Sequence, residues 1–405
     1  MKSRKVLLPE GVQDLLIDDC IYRRHIEDKL MDNFIKSGYM EVNTPSLEYY
    51  DLFSNDYLAS NGDKMFKLID TNGGILVLRP DCTIPIARMV ATKMKDFVYP
   101  LKLCYVQNVF RIDEEQAGKK REFRQAGVEL FGVASYEADV EVIITAIESL
   151  KNLGLKNFQI DIGQVKLLRG ILQNLTIEEK AKIGLEEHVE NKNFIELDKL
   201  VDTLNIEEEI KGILKELPRL FGEPEEVLRE VKRLPLDAGM LEAIEDLEKV
   251  CDGITAYGLE KYISLDLGMV TTMKYYSGII FKGFTRDLGT VLLSGGRYDR
   301  LLEDFGIDCA ATGFAFIVNK ITKALKIQEN LQVERNRHIL VAESEVCLVT
   351  AETVEKLRAA GHIVEICLLK NPKDLQEYVQ RRKIDEVIRI NTKGEIEVLE
   401  DLGGW

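Results

Sequence analysis

Metal-site and disulfide spacings are both missing from this chain. Its seven cysteines (Cys20, Cys82, Cys104, Cys251, Cys309, Cys347 and Cys367) include no Cys-x-x-Cys pair, and its four histidines are dispersed. That pattern excludes the usual zinc spacings and reads as reduced thiols in a cytosolic protein, with no metal and no cofactor expected. No apolar run approaches the roughly 18 residues of a membrane span, and the N-terminal residues carry no secretory pattern, so a cytoplasmic, membrane-free protein is expected. Positive charge is also short. Against 69 Asp and Glu stand 54 Lys and Arg, a formal net charge of −15. Between Gly170 and Gly258 there are 11 basic and 22 acidic residues, so one segment carries most of the excess. A surface of that sign repels phosphate backbones and counts against a large nucleic-acid partner.

What is present is ordinary globular material: 45% apolar and 30% charged residues in 405, enough for two or three units. A long amphipathic helix is expected from about Leu16 to Ser37, with Ile17, Ile21, Leu30, Phe34 and Ile35 as its apolar stripe and Gly38 as its stop. A helix from Ile84 to Lys95, one from Tyr136 to Asn152 and a strand from Phe158 to Ile162 follow. The acidic stretch from about Leu167 to Val250 is helical by composition, broken at Pro218, Pro224 and Pro235. Ile263 to Leu267 and Lys274 to Phe281 read as strands. Ser294-Gly295-Gly296-Arg297-Tyr298-Asp299 reads as a glycine turn into a helix, and Ala310 to Ala315 as the small-residue start of another. Beyond Glu334 the spacing changes to alternating strands and helices, with 10 basic and 13 acidic residues from Arg337 onward.

The informative stretch is Leu101 to Gly132, a strand, a polar loop carrying Gly118 and a returning strand. On the return, Ala126, Val128 and Leu130 form an apolar face, while Gln125, Gly127 and Glu129 share the other. An amide and a carboxylate flanking a bare glycine make a gapped, polar-walled floor suited to a small zwitterion. A strand with its polar face in solvent is the alternative. Upstream, Asp81 and Thr83 project on one side of Pro80, where they offer either a seat for an ammonium group or a helix cap. Tyr275 and Tyr276, adjacent in an expected strand, point to opposite faces, so at least one is free to line a pocket.

Phe110-Arg111, a charged loop and Arg121-Glu122-Phe123-Arg124-Gln125 resemble motif 2 of the class II aminoacyl-tRNA synthetases, in the histidyl-tRNA synthetase form. Gly38-Tyr39-x-x-Val42-x-x-Pro45 resembles motif 1, which in that family forms the dimer interface, and Gly295-Gly296-Arg297-Tyr298-Asp299 matches a histidyl-type motif. The resemblance spans nearly the whole chain. It implies an α+β fold: a class II synthetase-like antiparallel sheet with flanking helices, a helical insertion and a small C-terminal α/β domain. The implied division is 1–166 and 259–328 as core, 167–258 as acidic helical insertion, and 335–405 as a reduced anticodon-binding domain. It also implies histidine contacts at Asp81, Thr83, Arg111, Gln125, Glu129, Tyr275 and Tyr276, and a motif 2 loop position at Arg121.

The resemblance fails on the nucleotide side. Where histidyl synthetases carry Arg-Gly-Leu-Asp, this chain reads Thr271, Thr272, Met273, Lys274, losing the arginine that meets charge developing at the phosphate. The motif 3 Gly-Leu-Glu-Arg is Ile317, Val318, Asn319, Lys320, which keeps a charge without its fork. His-Glu-Arg after Phe-Arg becomes Ile112, Asp113, Glu114. An amino-acid pocket kept beside a degraded ATP site resembles the family of ATP phosphoribosyltransferase regulatory subunits, non-catalytic paralogues serving the first step of histidine biosynthesis. That resemblance implies no catalytic residues, L-histidine as feedback effector, and no tRNA. The implied partner is a short-form ATP phosphoribosyltransferase catalytic subunit, bound by a homodimer within a hetero-octamer. An active histidyl-tRNA synthetase and a histidine sensor for another partner are the alternatives.

Overall fold

The computed structural model describes residues 6–53, 64–112, 120–270, 275–331, 333, 336–344, 348–369, 372–391 and 393–399. The motif 2 loop residues 113–119 and Thr271, Thr272, Met273 and Lys274 therefore lie outside the described residues. The chain divides into two compact units, Met1–Leu331 and Gln332–Trp405. No helix among the described residues is long and apolar enough to cross a membrane.

The first unit opens with α1 (Ile17–Lys36). Ile26, Leu30 and Phe34 of this helix are buried, but Ile17, Ile21 and Ile35, expected on the same stripe, are exposed. Gly38 ends the helix at φ +85°, which a side chain resists. Then come β1 (Met40–Glu41), β2 (Leu47–Tyr49), β3 (Lys67–Ile69) and β4 (Ile75–Leu78), with β2, β4 and β3 forming a small sheet of their own. Helix α2 (Thr83–Lys93) leads to the hairpin of β5 (Leu101–Phe110) and β6 (Glu122–Phe131), whose antiparallel register pairs Tyr105 with Gly127 and Leu103 with Glu129.

Helix α3 (Tyr136–Asn152) and β7 (Phe158–Gln164) precede a helical stretch. It comprises α4 (Val165–Asn174), α5 (Glu179–Glu190), α6 (Phe194–Thr203), α7 (Glu208–Glu216), α8 (Pro224–Val231) and α9 (Ala238–Ala256), interrupted by β8 (Phe221–Gly222). The sheet resumes with β9 (Ile263–Asp266), β10 (Ile279–Thr285), β11 (Val291–Arg297) and β12 (Ala311–Ile317), and α10 (Val318–Ile327) closes the unit. The main sheet has the order β1-β5-β6-β12-β11-β10-β7-β9-β8. Its middle, from β5 to β7, is antiparallel throughout. One face packs with α1, α3, α9 and α10 in the larger apolar core, and the other holds a second core with residues of α2.

Three sequence expectations are corrected here. Tyr275, Tyr276 and Gly278 precede β10 in irregular backbone instead of lying within a strand. Gly295 and Gly296 sit inside β11, and the residues from Ala311 form β12 and not a helix. The cause is crowding between strands, which small residues relieve. A Cβ at Gly295 would lie 2.5 Å from Phe281 Cζ, and one at Gly313 would collide with Glu129 Oε2 and the Val128 carbonyl. Helix-compatible composition yields to tertiary packing at such positions.

The second unit contains β13 (His338–Ser344), α11 (Leu348–Ala359), β14 (Ile363–Ile366), α12 (Pro372–Arg382), β15 (Glu386–Ile390) and β16 (Ile396–Val398). Strands β14, β13 and β15 run parallel, and β16, unexpected from sequence, adds antiparallel to β15.

Two glycine substitutions test this packing in opposite directions. Gly313→Ala is expected to lower the unfolding free energy by about 2 kcal/mol or more through overpacking. Gly212, inside α7 with nothing within 4 Å of a built Cβ, is expected to gain about 0.5–1 kcal/mol on substitution by Ala. Urea midpoints measure both. A Gly313→Ala protein as stable as wild type would contradict the crowding.

Candidate functional site

The site is built around the carboxyl of Glu129, which β6 holds beneath the second core at 1% exposure. Three hydroxyls surround it. Thr83, in the first turn of α2, donates to Oε1 at 2.7 Å, and Tyr105 of β5 donates to the same oxygen at 3.4 Å. Tyr298, just past β11, donates to Oε2. Loss of hydration dominates over these donors, and the neighbouring Asp81 charge adds to it, so the Glu129 pKa is pushed up to about 8.

Asp81 has two tasks. Its Oδ1 accepts from the Ile84 backbone N–H at 3.1 Å, so Asp81, and not Thr83, caps α2. Its Oδ2 faces Arg111 Nη2 at 3.9 Å, while Arg111 Nε donates to the Pro80 carbonyl at 2.7 Å. Burial raises the Asp81 pKa and the Arg111 charge opposes the rise. Two buried carboxyls disfavoured as anions beside one cation form a cluster whose ionised state a further positive group would favour.

The tyrosine pair completes the enclosure in a way adjacency did not suggest. Instead of pointing apart, the rings of Tyr275 and Tyr276 lie 4.7 Å centre to centre, and Tyr275 meets Tyr298 edge-on at 5.8 Å. Ser277 pins this segment, its N–H donating to the Arg297 carbonyl at 2.8 Å and its hydroxyl accepting from Asp299 N at 2.9 Å. A Cβ at Gly296 would come within 2.9 Å of the Tyr276 ring, so the glycine gives that ring its place. From the helical stretch, Arg169 of α4 donates to the Tyr276 carbonyl at 2.9 Å.

Asp81, Thr83, Arg111, Glu129, Tyr275 and Tyr276 are thus brought together. Gln125 shares the face of Glu129 four residues along β6. Its Oε1 is buried with no hydrogen-bond partner among the described residues, which leaves an acceptor for a ligand N–H. Arg121 stands apart, with its stem against Gly11 and its guanidinium 3.8 Å from Glu10. The expected open space above Gly127 is filled. Tyr105 lies across it, its oxygen 2.7 Å from where a Cβ would be. Tyr105 and Tyr298 are the site residues that sequence reasoning missed. The β5–β6 register, countable from the loop, carries the signal for the first.

On the nucleotide side, two of the changed positions do structural work. Asn319 Oδ1 accepts from the Arg124 backbone N–H at 2.9 Å, and Lys320 Nζ donates to Thr290 Oγ1 at 3.0 Å.

A family model described as histidyl-tRNA synthetase matches residues 11–321. An ATP phosphoribosyltransferase regulatory subunit of Alkaliphilus metalliredigens is 53% identical over 395 residues, covering 97% of this chain and 100% of that protein. A protein of the same name from Acetivibrio thermocellus is 43% identical over 368 residues, with coverage of 90% and 88%. Among solved structures, an ATP phosphoribosyltransferase regulatory subunit/histidyl-tRNA synthetase from Bacillus halodurans superposes with a TM-score of 0.84 at 32% identity, covering 96% of this chain and 99% of that one. The histidyl-tRNA synthetase of Nostoc sp. PCC 7120 shares the fold, with a TM-score of 0.79 at 20% identity over 97% and 96% of the two chains.

The raised Glu129 pKa has a signature in stability. An unfolded Glu titrates near 4.3. With the folded value at about 8, the stabilisation from the neutral carboxyl is complete below the unfolded value and is lost as pH rises through the folded one. Between pH 5.5 and 7.5 the wild type is expected to lose roughly 2–3 kcal/mol more than Glu129→Gln, by the slope of about 1.4 kcal/mol per unit. Urea unfolding of both proteins at the two pH values measures it. Parallel changes would place an ionised carboxylate here.

Proposed function

Because the chain belongs to the histidyl-tRNA synthetase family, and within it to the ATP phosphoribosyltransferase regulatory subunits, we propose that it binds free L-histidine without activating it and relays that occupancy to a catalytic subunit. One observation carries the reading. The amino-acid half of the site keeps a buried Glu129 bonded by three hydroxyls, an Asp81–Arg111 pair beside it and an orphan acceptor at Gln125, while Asn319 and Lys320 have gone over to structural contacts.

The roles follow from what each group donates or accepts. The Asp81 carboxylate and the remaining Thr83 lone pairs take the α-ammonium. Arg111 faces the carboxylate end. Gln125 and Glu129 accept from imidazole N–H groups, and the Tyr275–Tyr276 pair walls the ring. Arg111 is the one cation of that set, and among the described residues the set holds no second one to meet the phosphate charge of an adenylate transition state.

Segments 1–166 and 259–328 serve as the sensing core, with 167–258 as an insertion joined to it through Arg169 and Tyr276, and 335–405 as an accessory domain. The chain works in the cytoplasm as a homodimer formed through the motif 1 region, without tRNA. The exposed Ile17, Ile21 and Ile35 of α1 support that interface. The homodimer assembles with short-form ATP phosphoribosyltransferase catalytic subunits, in a hetero-octamer.

Calorimetry on the purified chain tests the pocket. At pH 7, histidine is expected to bind wild type with proton release, read as an enthalpy that depends on buffer, because the arriving imidazole N–H donors favour ionised Glu129. Glu129→Ala is expected to bind at least tenfold more weakly. Equal affinity in both would mean that the pocket is misplaced. Histidine-dependent ATP–pyrophosphate exchange separates the alternative: turnover on the order of 1–10 per second would make the chain a synthetase.

A further inference from the structure

A second feature lies on the helix-covered face of the main sheet and shares only Asn319 with the residues described above. Between the N-terminal part of α1 and α10 there is a crevice of about 240 Å³. In a chain of net charge −15, four of its lining residues are cations: Arg23, Lys120, Lys323 and Lys326. Asp19 is the one acid in the lining among the described residues. The spacing is helical, since Asp19 and Arg23 stand four apart on α1, and Asn319, Lys323 and Lys326 recur at four and three on α10. Each helix therefore turns one stripe into the crevice.

The acids facing this crevice are already engaged. Asp19 is held by Lys326, and Glu27, one turn further along α1, is taken by Arg124 at 2.9 and 3.3 Å. Arg23 keeps only a 3.8 Å contact with Glu27. Lys120 and Lys323 have no acidic partner among the described residues, and each repels the other. Partial burial and the Lys323 charge together lower the Lys120 pKa, against the pull of Asp19. Like charges held this close call for a counter-charge from outside.

We propose that this crevice is a binding site for a diphosphate group. The choice follows from charge, size and lining. A single-charged anion would leave most of the excess uncompensated, whereas a diphosphate meets several cations and the forked Arg23 at once. The volume lies below the range for drug-sized ligands and excludes a folded peptide segment. Among the described residues Leu15 is the only apolar one in the lining, and they offer no platform for stacking a base. The Gln13 amide and Asn319 Nδ2 supply neutral donors. Inorganic pyrophosphate and the diphosphate of a nucleotide share this chemistry.

The test is titration calorimetry of the full chain with inorganic pyrophosphate and, separately, with ADP. Pyrophosphate is expected to bind one per chain, with affinity falling several-fold between about 50 and 300 mM salt. Lys120→Ala with Lys323→Ala is expected to cost about tenfold or more. Both lysines lie outside the histidine pocket, so histidine affinity in that variant stays at the wild-type value and reports that the chain is folded. Displacement of pyrophosphate by ADP assigns the site to the shared diphosphate, and binding of pyrophosphate alone restricts it to the free anion. No binding at low-millimolar pyrophosphate, or the same affinity in the double variant, would overturn the proposal.

Discussion

A carboxyl group buried in the middle of the sheet organises this molecule. Glu129 reaches from β6 across the neighbouring strand, and that path demands a glycine at position 313, where a Cβ would collide with its Oε2. On the other side of β6, Gly127 yields its space to the ring of Tyr105, which comes back to the same carboxyl. Thr83 and Tyr298 bring α2 and the end of β11 to that point. One desolvated acid thus ties four separate elements together. A buried carboxyl with so many donors is costly unless it is neutral or meets a cation, and a ligand bearing both an ammonium and ring N–H groups fits that state.

Binding and chemistry come apart on this scaffold for an electrostatic reason. Holding a zwitterion needs complementary charges at its two ends, the part proposed for Asp81 and Arg111, which stand 3.9 Å apart. Activating it needs further cations aimed at a phosphate. At position 320 the cation is a lysine turned to Thr290, and at 319 an amide braces the backbone of β6. Those contacts stabilise the junction of α10 with the sheet, a use for the positions that makes no demand on a nucleotide.

Much of this was legible in the sequence because strong local signals agreed with the global fold. The period-two pattern of β5 and β6, the Tyr136–Asn152 helix and the Pro372–Arg382 helix appear where periodicity puts them. Two of the errors share one cause. Gly295, Gly296, Ala311 and Gly313 are small because strands and side chains approach closely there, and local composition cannot distinguish that from a turn or a helix start. Strand geometry puts adjacent tyrosines on opposite faces, yet the rings of Tyr275 and Tyr276 meet at a tilt because their segment is irregular backbone that precedes β10. Tyr105 was hidden for a different reason. Its role depends on pairing across a loop, which no single strand reveals.

The central claim is that occupancy of this pocket is a signal and not a step in a reaction. Phosphoribosyl transfer by a short-form catalytic subunit, measured with and without this chain across a histidine titration, tests it most directly. The account predicts that the catalytic subunit alone is slow and that adding the chain activates it. Histidine then restores the slow state, and Asp81→Ala combined with Glu129→Ala abolishes that inhibition. A catalytic subunit fully active alone, or inhibition that survives in the double variant, would contradict the account.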